Sequence, residues 1–156
     1  MEKPEKSLGF LLHDVARLLR KRFEQKARGL GLTRSQWQIL AHLADNDGIQ
    51  QGMLAELLEL EPITLVRILD RLEQSDLVER RAHPHDRRAW QLYLKSKAHP
   101  LLKQMRAIGM DTKAEALVGL SDADQDRLTT ILSTMKTNLV TVISRPTAEA
   151  KTQNHG

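Results

Sequence analysis

The chain has 156 residues, 40% of them hydrophobic and 28% charged, with a net charge of +4 and no cysteine. This suits one folded domain rather than a disordered chain, and the lack of thiols excludes disulfides, thiolate metal sites and thiol-based oxidant sensing. No apolar run reaches the roughly 20 residues needed to cross a bilayer, and the charged start Met1 to Lys6 lacks the apolar stretch of a signal peptide, so a cytoplasmic protein with no membrane partner is expected.

Taken in chain order, Leu8, Leu11, Leu12, Val15, Leu18, Leu19 and Phe23 recur at spacings of three and four. They predict an amphipathic helix from Ser7 to about Arg28, ended by Gly29 and Gly31. Its first half is apolar enough to need a partner surface. Thr33-Arg34-Ser35-Gln36 has the form of a capping box and opens a second helix carrying Trp37, Ile39, Leu40 and Leu43. That helix should stop in Asp45-Asn46-Asp47-Gly48. Met53, Leu54, Leu57 and Leu58 mark a short third helix from near Gln50. Pro62, placed where a first helical turn tolerates a missing amide proton, starts a fourth. Leu65, Ile68, Leu69 and Leu72 fill one face of this fourth helix, and Thr64, Arg67, Asp70 and Arg71 the other.

Leu77 to Ala82 and Ala89 to Leu94 have strand character and are joined by the polar turn His83 to Arg88, which predicts one hairpin in a mainly α protein. Lys95 to about Val118 reads as a long helix with Pro100 in an early turn or at a kink. Ser121 and Asp124 cap a last helix containing Leu128, Ile131, Leu132, Met135, Leu139, Val142 and Ile143, with Pro146 at its end. Met1 to Lys6 and Thr147 to Gly156 are expected to be disordered.

Charge is sorted along this order. Arg80, Arg81, Arg87, Arg88, Lys95 and Lys97 face only Asp86 between positions 80 and 97, whereas positions 45 to 61 hold five carboxylates and no basic residue. Two short helices followed directly by a hairpin have the spacing of a winged helix-turn-helix. A helix about 10 to 12 Å across fits the major groove of DNA, and the polar face with Thr64, Arg67 and Arg71 would serve phosphates and base edges. A hairpin tip is narrow enough for a minor groove, whose negative potential attracts arginine. This gives Arg87 and Arg88 a use at an exposed turn.

The run Thr33-Arg34-Ser35-Gln36-Trp37, then Leu54-Ala55, Leu65 to Glu73, Leu77-Val78-Glu79-Arg80 and Asp86-Arg87-Arg88-Ala89 resembles the MarR family of bacterial regulators. With Lys97-Ala98 and Pro100-Leu101 after the hairpin, it is most similar to the SlyA branch. The likeness spans about Leu8 to Ile143. It implies a single winged helix-turn-helix unit over 7–145, with 33–97 as the DNA-binding region and 7–32 and 98–145 as dimerisation helices. It implies a homodimer on double-stranded DNA with a pseudo-palindromic operator, acting as a repressor or by displacing another repressor. Thr64 and Arg67 match groove-facing positions; Asp86 matches a carboxylate that braces an arginine, and Arg88 the arginine placed in the minor groove, with Arg87 assisting. Pro62, Ile63 and Arg71 join this DNA-binding set, although Pro62-Ile63 departs from a pattern in which the proline usually lies one place later. A small aromatic or anionic effector, held by Trp37 with His13 and Arg17, is a further implied partner.

Each reading has a plainer rival. Arg67 could pair with Asp70 or Glu73 on an exposed helix face, and Arg87 and Arg88 could be solvated turn residues. Trp37 sits among Ile39, Leu40 and Leu43 and could be core. His83, His85 and Asp86 could hold a metal, but such closely spaced ligands on a turn supply too few fixed donors, and no metal or other cofactor is expected. No phosphate loop, nucleophile elbow or zinc-protease motif occurs, so no enzyme is expected. The alternative function is a winged helix that no longer reads DNA and serves as a protein-interaction module.

Overall fold

The Ser7 hydroxyl accepts the Phe10 N–H at 3.4 Å and opens α1, Leu8–Ala27. The structure, a computed structural model, describes residues 7–145, so the expectations for the two chain ends and for Pro146 lie outside the described residues. A 3-10 turn, Arg28–Leu30, follows α1, and Gly31 at φ 70° reverses the chain in a left-handed conformation that suits glycine. The predicted capping box is present: the Gln36 N–H donates to Thr33 Oγ1 at 3.3 Å, and the Thr33 N–H to Gln36 Oε1 at 2.9 Å. It starts α2, Arg34–Asp45. After α3, Gln51–Leu57, Pro62 occupies the first turn of α4, Pro62–Gln74.

The hairpin pairs β1, Val78–Ala82, with β2, Trp90–Leu94, antiparallel, in a register that sets Val78 opposite Leu94 and Ala82 opposite Trp90. Each strand is one residue shorter than expected, because Leu77 is taken into the core and Ala89 into the turn. Gln50 adds a bridge to Gln91, and the Leu92 N–H donates to the Ile49 carbonyl at 3.0 Å, so the segment before α3 lines the hairpin edge. Gly48, at φ 81°, makes this approach possible: a Cβ there would lie 3.2 Å from the Tyr93 hydroxyl.

The next helix, α5, spans Ala98–Ala116 and starts three residues later than expected. The Lys95 N–H is held by the Leu77 carbonyl at 2.9 Å, which ties Lys95 to the base of the hairpin and leaves Ser96 and Lys97 in a turn. Pro100 falls in the first turn of α5, where it displaces no helical hydrogen bond. A second capping box, Ser121 with Asp124, opens α6, Asp122–Ile143.

Two compact units divide the described residues, the first ending at Ala116 and the second beginning at Leu117. In the first, Ile39, Leu40 and Leu43 of α2, Leu54 of α3, Leu65, Leu69 and Leu72 of α4, Leu92 of β2, and Leu102 and Met105 of α5 form one buried cluster. Burying each leucine side chain is worth roughly 1.5–3 kcal/mol, so this cluster fixes α4 and the hairpin on the same scaffold. By contrast, the apolar residues Leu8, Leu11, Val15 and Leu18 of α1 are exposed. In the second unit, α6 leaves Leu128, Ile131, Leu132, Leu139, Val142 and Ile143 exposed, while the hydroxyls of Thr129, Thr130, Thr134 and Thr141 donate to carbonyls four residues back.

Candidate nucleic-acid interface

The leucine face of α4 is buried, which turns the opposite face outward. There Thr64, Arg67 and Arg71 are exposed and, together with Ile68 and with Thr33 and Gln36 at the start of α2, line a depression of about 220 Å³. Pro62 and Ile63 are also exposed, Ile63 to 60%, at the amino end of α4. The structure therefore brings the predicted residues of the fourth helix onto one accessible surface.

The carboxylates of α4 do not pair with its arginines. Asp70 and Glu73, one turn apart on the helix, both accept hydrogen bonds from the Arg80 guanidinium of β1. Burial works against the Arg80 charge, but the hydrogen bonds to Asp70 and Glu73 outweigh it and raise its pKa above the usual arginine value. Among the described residues, Arg67 and Arg71 have no carboxylate within ion-pair distance. The plainer reading of Arg67 as half of an ion pair on its own helix is thus not what the structure has.

At the hairpin tip, the His83 N–H donates to the Ala89 carbonyl at 2.9 Å and the Ala89 N–H to the Asp86 carbonyl at 3.1 Å. Asp86 Oδ1 accepts the Arg88 N–H at 3.0 Å. The resemblance gives Asp86 the bracing of an arginine; here the bracing runs through the backbone of Arg88, as an aspartate closing a turn commonly does. The side chains of Arg87 and Arg88 are exposed, and neither guanidinium meets a carboxylate among the described residues. His83 Nδ1 accepts the His85 N–H at 3.1 Å, which occupies one of the donors a metal would use.

Lower in the hairpin every cation is engaged. Arg81 Nε donates to Glu79 Oε1 at 2.9 Å, and the guanidinium lies 4.0 Å from the centre of the Tyr93 ring. The Glu79 carboxyl is held below its usual pKa chiefly by that hydrogen bond. Lys95 hydrogen-bonds to Asp76 and likewise lowers its pKa.

The three residues singled out for an effector are not gathered. Trp37 is half-buried, with its ring 4.6 Å from that of Phe23 at a 45° tilt. The two rings line a cavity of about 250 Å³ with Ala41, Ala44, Asp45, Met105 and Arg106, so its lining carries one acid and one cation. His13 and Arg17 do not line it; both are exposed on α1, where Arg17 lies 3.6 Å from Asp14. Sequence reasoning missed Arg106, which also borders a second cavity of about 310 Å³ with Asp47 and His99. Nothing in the sequence near Trp37 signals a residue of α5. It missed the role of Arg80 as well, which had counted toward the basic run and the family motif but not as a partner of α4; its one signal is the pair of acids three positions apart in the preceding helix.

A family model described as "MarR family" matches residues 30–89, the stretch from the end of the 3-10 turn after α1 through the hairpin turn. The crystal structure of the transcriptional regulator PA3341 is 33% identical, with a TM-score of 0.75 over 86% of this chain and 99% of that one. The transcriptional regulator SlyA is 25% identical, with a TM-score of 0.74 over 86% and 94% of the respective chains. A mutant MarR of E. coli complexed with operator DNA is 25% identical, with a TM-score of 0.71 over 82% and 92%. The hairpin directly after two short helices, the flanking long helices and the sequence likeness over nearly the whole length of a transcriptional regulator all agree: this chain belongs to the MarR family of transcriptional regulators.

Proposed function

We propose that this protein is a homodimeric regulator that binds a specific double-stranded DNA sequence. The observation that carries the reading is the free state of four arginines: Arg67 and Arg71 on the outward face of α4, and Arg87 and Arg88 at the hairpin tip, all exposed and unpaired among the described residues. In this reading α4 enters the major groove, with Thr64 and Arg67 at base edges and Arg71 at a phosphate. Ile63 offers an apolar surface for a thymine methyl, the one apolar group the major groove displays. Arg88 enters the flanking minor groove with Arg87 beside it.

The dimer is supported by the apolar residues that α1 and α6 leave exposed in the single chain, such as Leu11, Val15, Ile131 and Leu139. Such rows ordinarily mark a protein contact, and the operator-bound MarR mutant among the similar structures supports DNA as the ligand. A two-fold dimer presents its recognition helices about one helical turn apart, so the operator is a pseudo-palindrome. Bound at a promoter, the dimer blocks polymerase or displaces another repressor. An aromatic acid is the effector class that suits the cavity under Phe23 and Trp37, with Arg106 rather than His13 or Arg17 as the cation for its carboxylate. It acts by favouring a dimer geometry that no longer matches the groove spacing.

Selection of bound duplexes from a random pool, followed by affinity measurement at about 150 mM salt, tests the reading. A recovered pseudo-palindrome bound about a thousandfold more tightly than random duplex supports it. Failure to enrich any site, with equal weak binding to all duplexes, makes the protein a DNA-inert interaction module instead.

A further inference from the structure

On the reading above that α4 enters DNA, a question arises that the DNA contacts themselves do not answer: what keeps the acids of this helix from spoiling it? Arg67 has Asp70 three positions on. Residues three apart on a helix are neighbours, with about 5–6 Å between their Cβ atoms, close enough for Asp70 to bind the Arg67 guanidinium. An unmasked carboxylate there would also repel the phosphates. The structure resolves both conflicts at once. Arg80, with a side chain only 22% exposed, reaches from β1 and binds Asp70 and Glu73, whose side chains are 48% and 35% exposed, so the charge of both acids is paired with Arg80 rather than with Arg67.

We propose that Arg80 is a positioning residue that neutralises the carboxylates of the recognition helix, so that Arg67 is left free for DNA. It touches no DNA itself. The idea differs from a plain mechanical brace between α4 and the hairpin in a way that can be measured. If Arg80 works by masking, its loss harms binding because two negative charges are released, and removing those charges repairs the harm. If it works as a brace, removing the carboxylates breaks the same bridge and does the same damage.

Three variants decide the matter on the selected operator, read by titration at fixed salt: Arg80→Gln, the pair Asp70→Asn with Glu73→Gln, and all three together. Masking predicts that Arg80→Gln weakens binding about tenfold, from an unmasked charge beside the phosphates. The Asp70/Glu73 pair binds as tightly as the unmodified protein or more tightly, and the triple variant returns to within about threefold of it. The proposal is overturned if the Asp70/Glu73 pair loses as much affinity as Arg80→Gln and the triple variant is no better. Should Arg80→Gln fail to fold, as judged by its helical circular dichroism, the Asp70/Glu73 pair alone still separates the two, because bracing predicts a loss of affinity for it and masking predicts none. If the unmodified protein itself selects no operator, the DNA reading and this inference fall together, whereas specific binding without the rescue removes the inference alone.

Discussion

The base and the tip of the one hairpin carry the same kind of side chain to opposite ends. At the base, Arg80 is bound by Asp70 and Glu73, Arg81 by Glu79 with Tyr93 beneath it, and Lys95 by Asp76. At the tip, Arg87 and Arg88 are exposed with no carboxylate partner among the described residues, and the nearby acid, Asp86, spends its side chain on a backbone N–H. The basic run counted along the sequence is therefore two populations. One neutralises the local acids and ties elements of the same unit together; the other projects an uncompensated charge outward. A count of net charge cannot distinguish them, because the distinction lies in which acids the fold brings within reach.

The sharpest way to break this comparison is to remove the free cations. Arg88→Ala and Arg67→Ala are each expected to weaken operator binding by roughly 1 to 3 kcal/mol, about thirtyfold at the midpoint, with helicity unchanged. For Arg67, relaxed preference at one base position indicates base reading, and an even loss across sequences indicates a phosphate contact. Unchanged affinity for Arg88→Ala would remove the hairpin tip from the mechanism. A smaller effect is expected at the base: Arg81→Ala, which loses a cation already held by Glu79, should change affinity by less than about threefold. A loss as large as that of Arg88→Ala would show that engaged and free arginines are not distinct in use.

The smallest effect tests engaged charge away from the interface. Glu115 on α5 accepts from Arg22 Nε at 2.8 Å and pairs with Lys26, both on α1, and the hydrogen bonds to Arg22 and Lys26 lower its pKa from 4.5 to about 2. A carboxylate lowered on folding stabilises the folded state above its unfolded pKa, and that contribution fades as pH falls through the folded value. Glu115→Gln should therefore lower Tm slightly at neutral pH, by a small amount because the pair is exposed. The difference from the unmodified protein should close between pH 4.5 and about 2. A gap in Tm that persists below that window would assign the effect to packing rather than to charge.

Much of the scaffold was legible from local chemistry alone. Thr33 with Gln36 and Ser121 with Asp124 mark helix starts because a capping box closes within four residues, and Pro62 marks another because a missing amide proton fits only the first turn. The leucine spacing of α4 fixed which of its faces looks outward, and with it the exposure of Thr64, Arg67 and Arg71. Where the expectation slipped, a distant partner was responsible. Lys95 was expected to begin a helix, but the Leu77 carbonyl binds its N–H across the base of the hairpin. Gly48 looked like a helix stop and nothing more; it also lets the backbone pass beside Tyr93. The effector residues were chosen on chemistry without knowledge of neighbours, and Arg106, far along the chain, stands where His13 and Arg17 do not.

By itself, then, the sequence determined the order of elements, the caps that bound them, the buried face of each amphipathic helix and the presence of arginines at a narrow turn, because each rests on interactions among residues a few positions apart. Only the tertiary structure decided which charges are cancelled. Asp70 could have met Arg67 along its own helix, and it meets Arg80 together with Glu73 instead because Leu65, Leu69 and Leu72 share one buried cluster with Val78, which sets β1 beside α4. An ion pair depends on separation in space, and separation in space is set by the core.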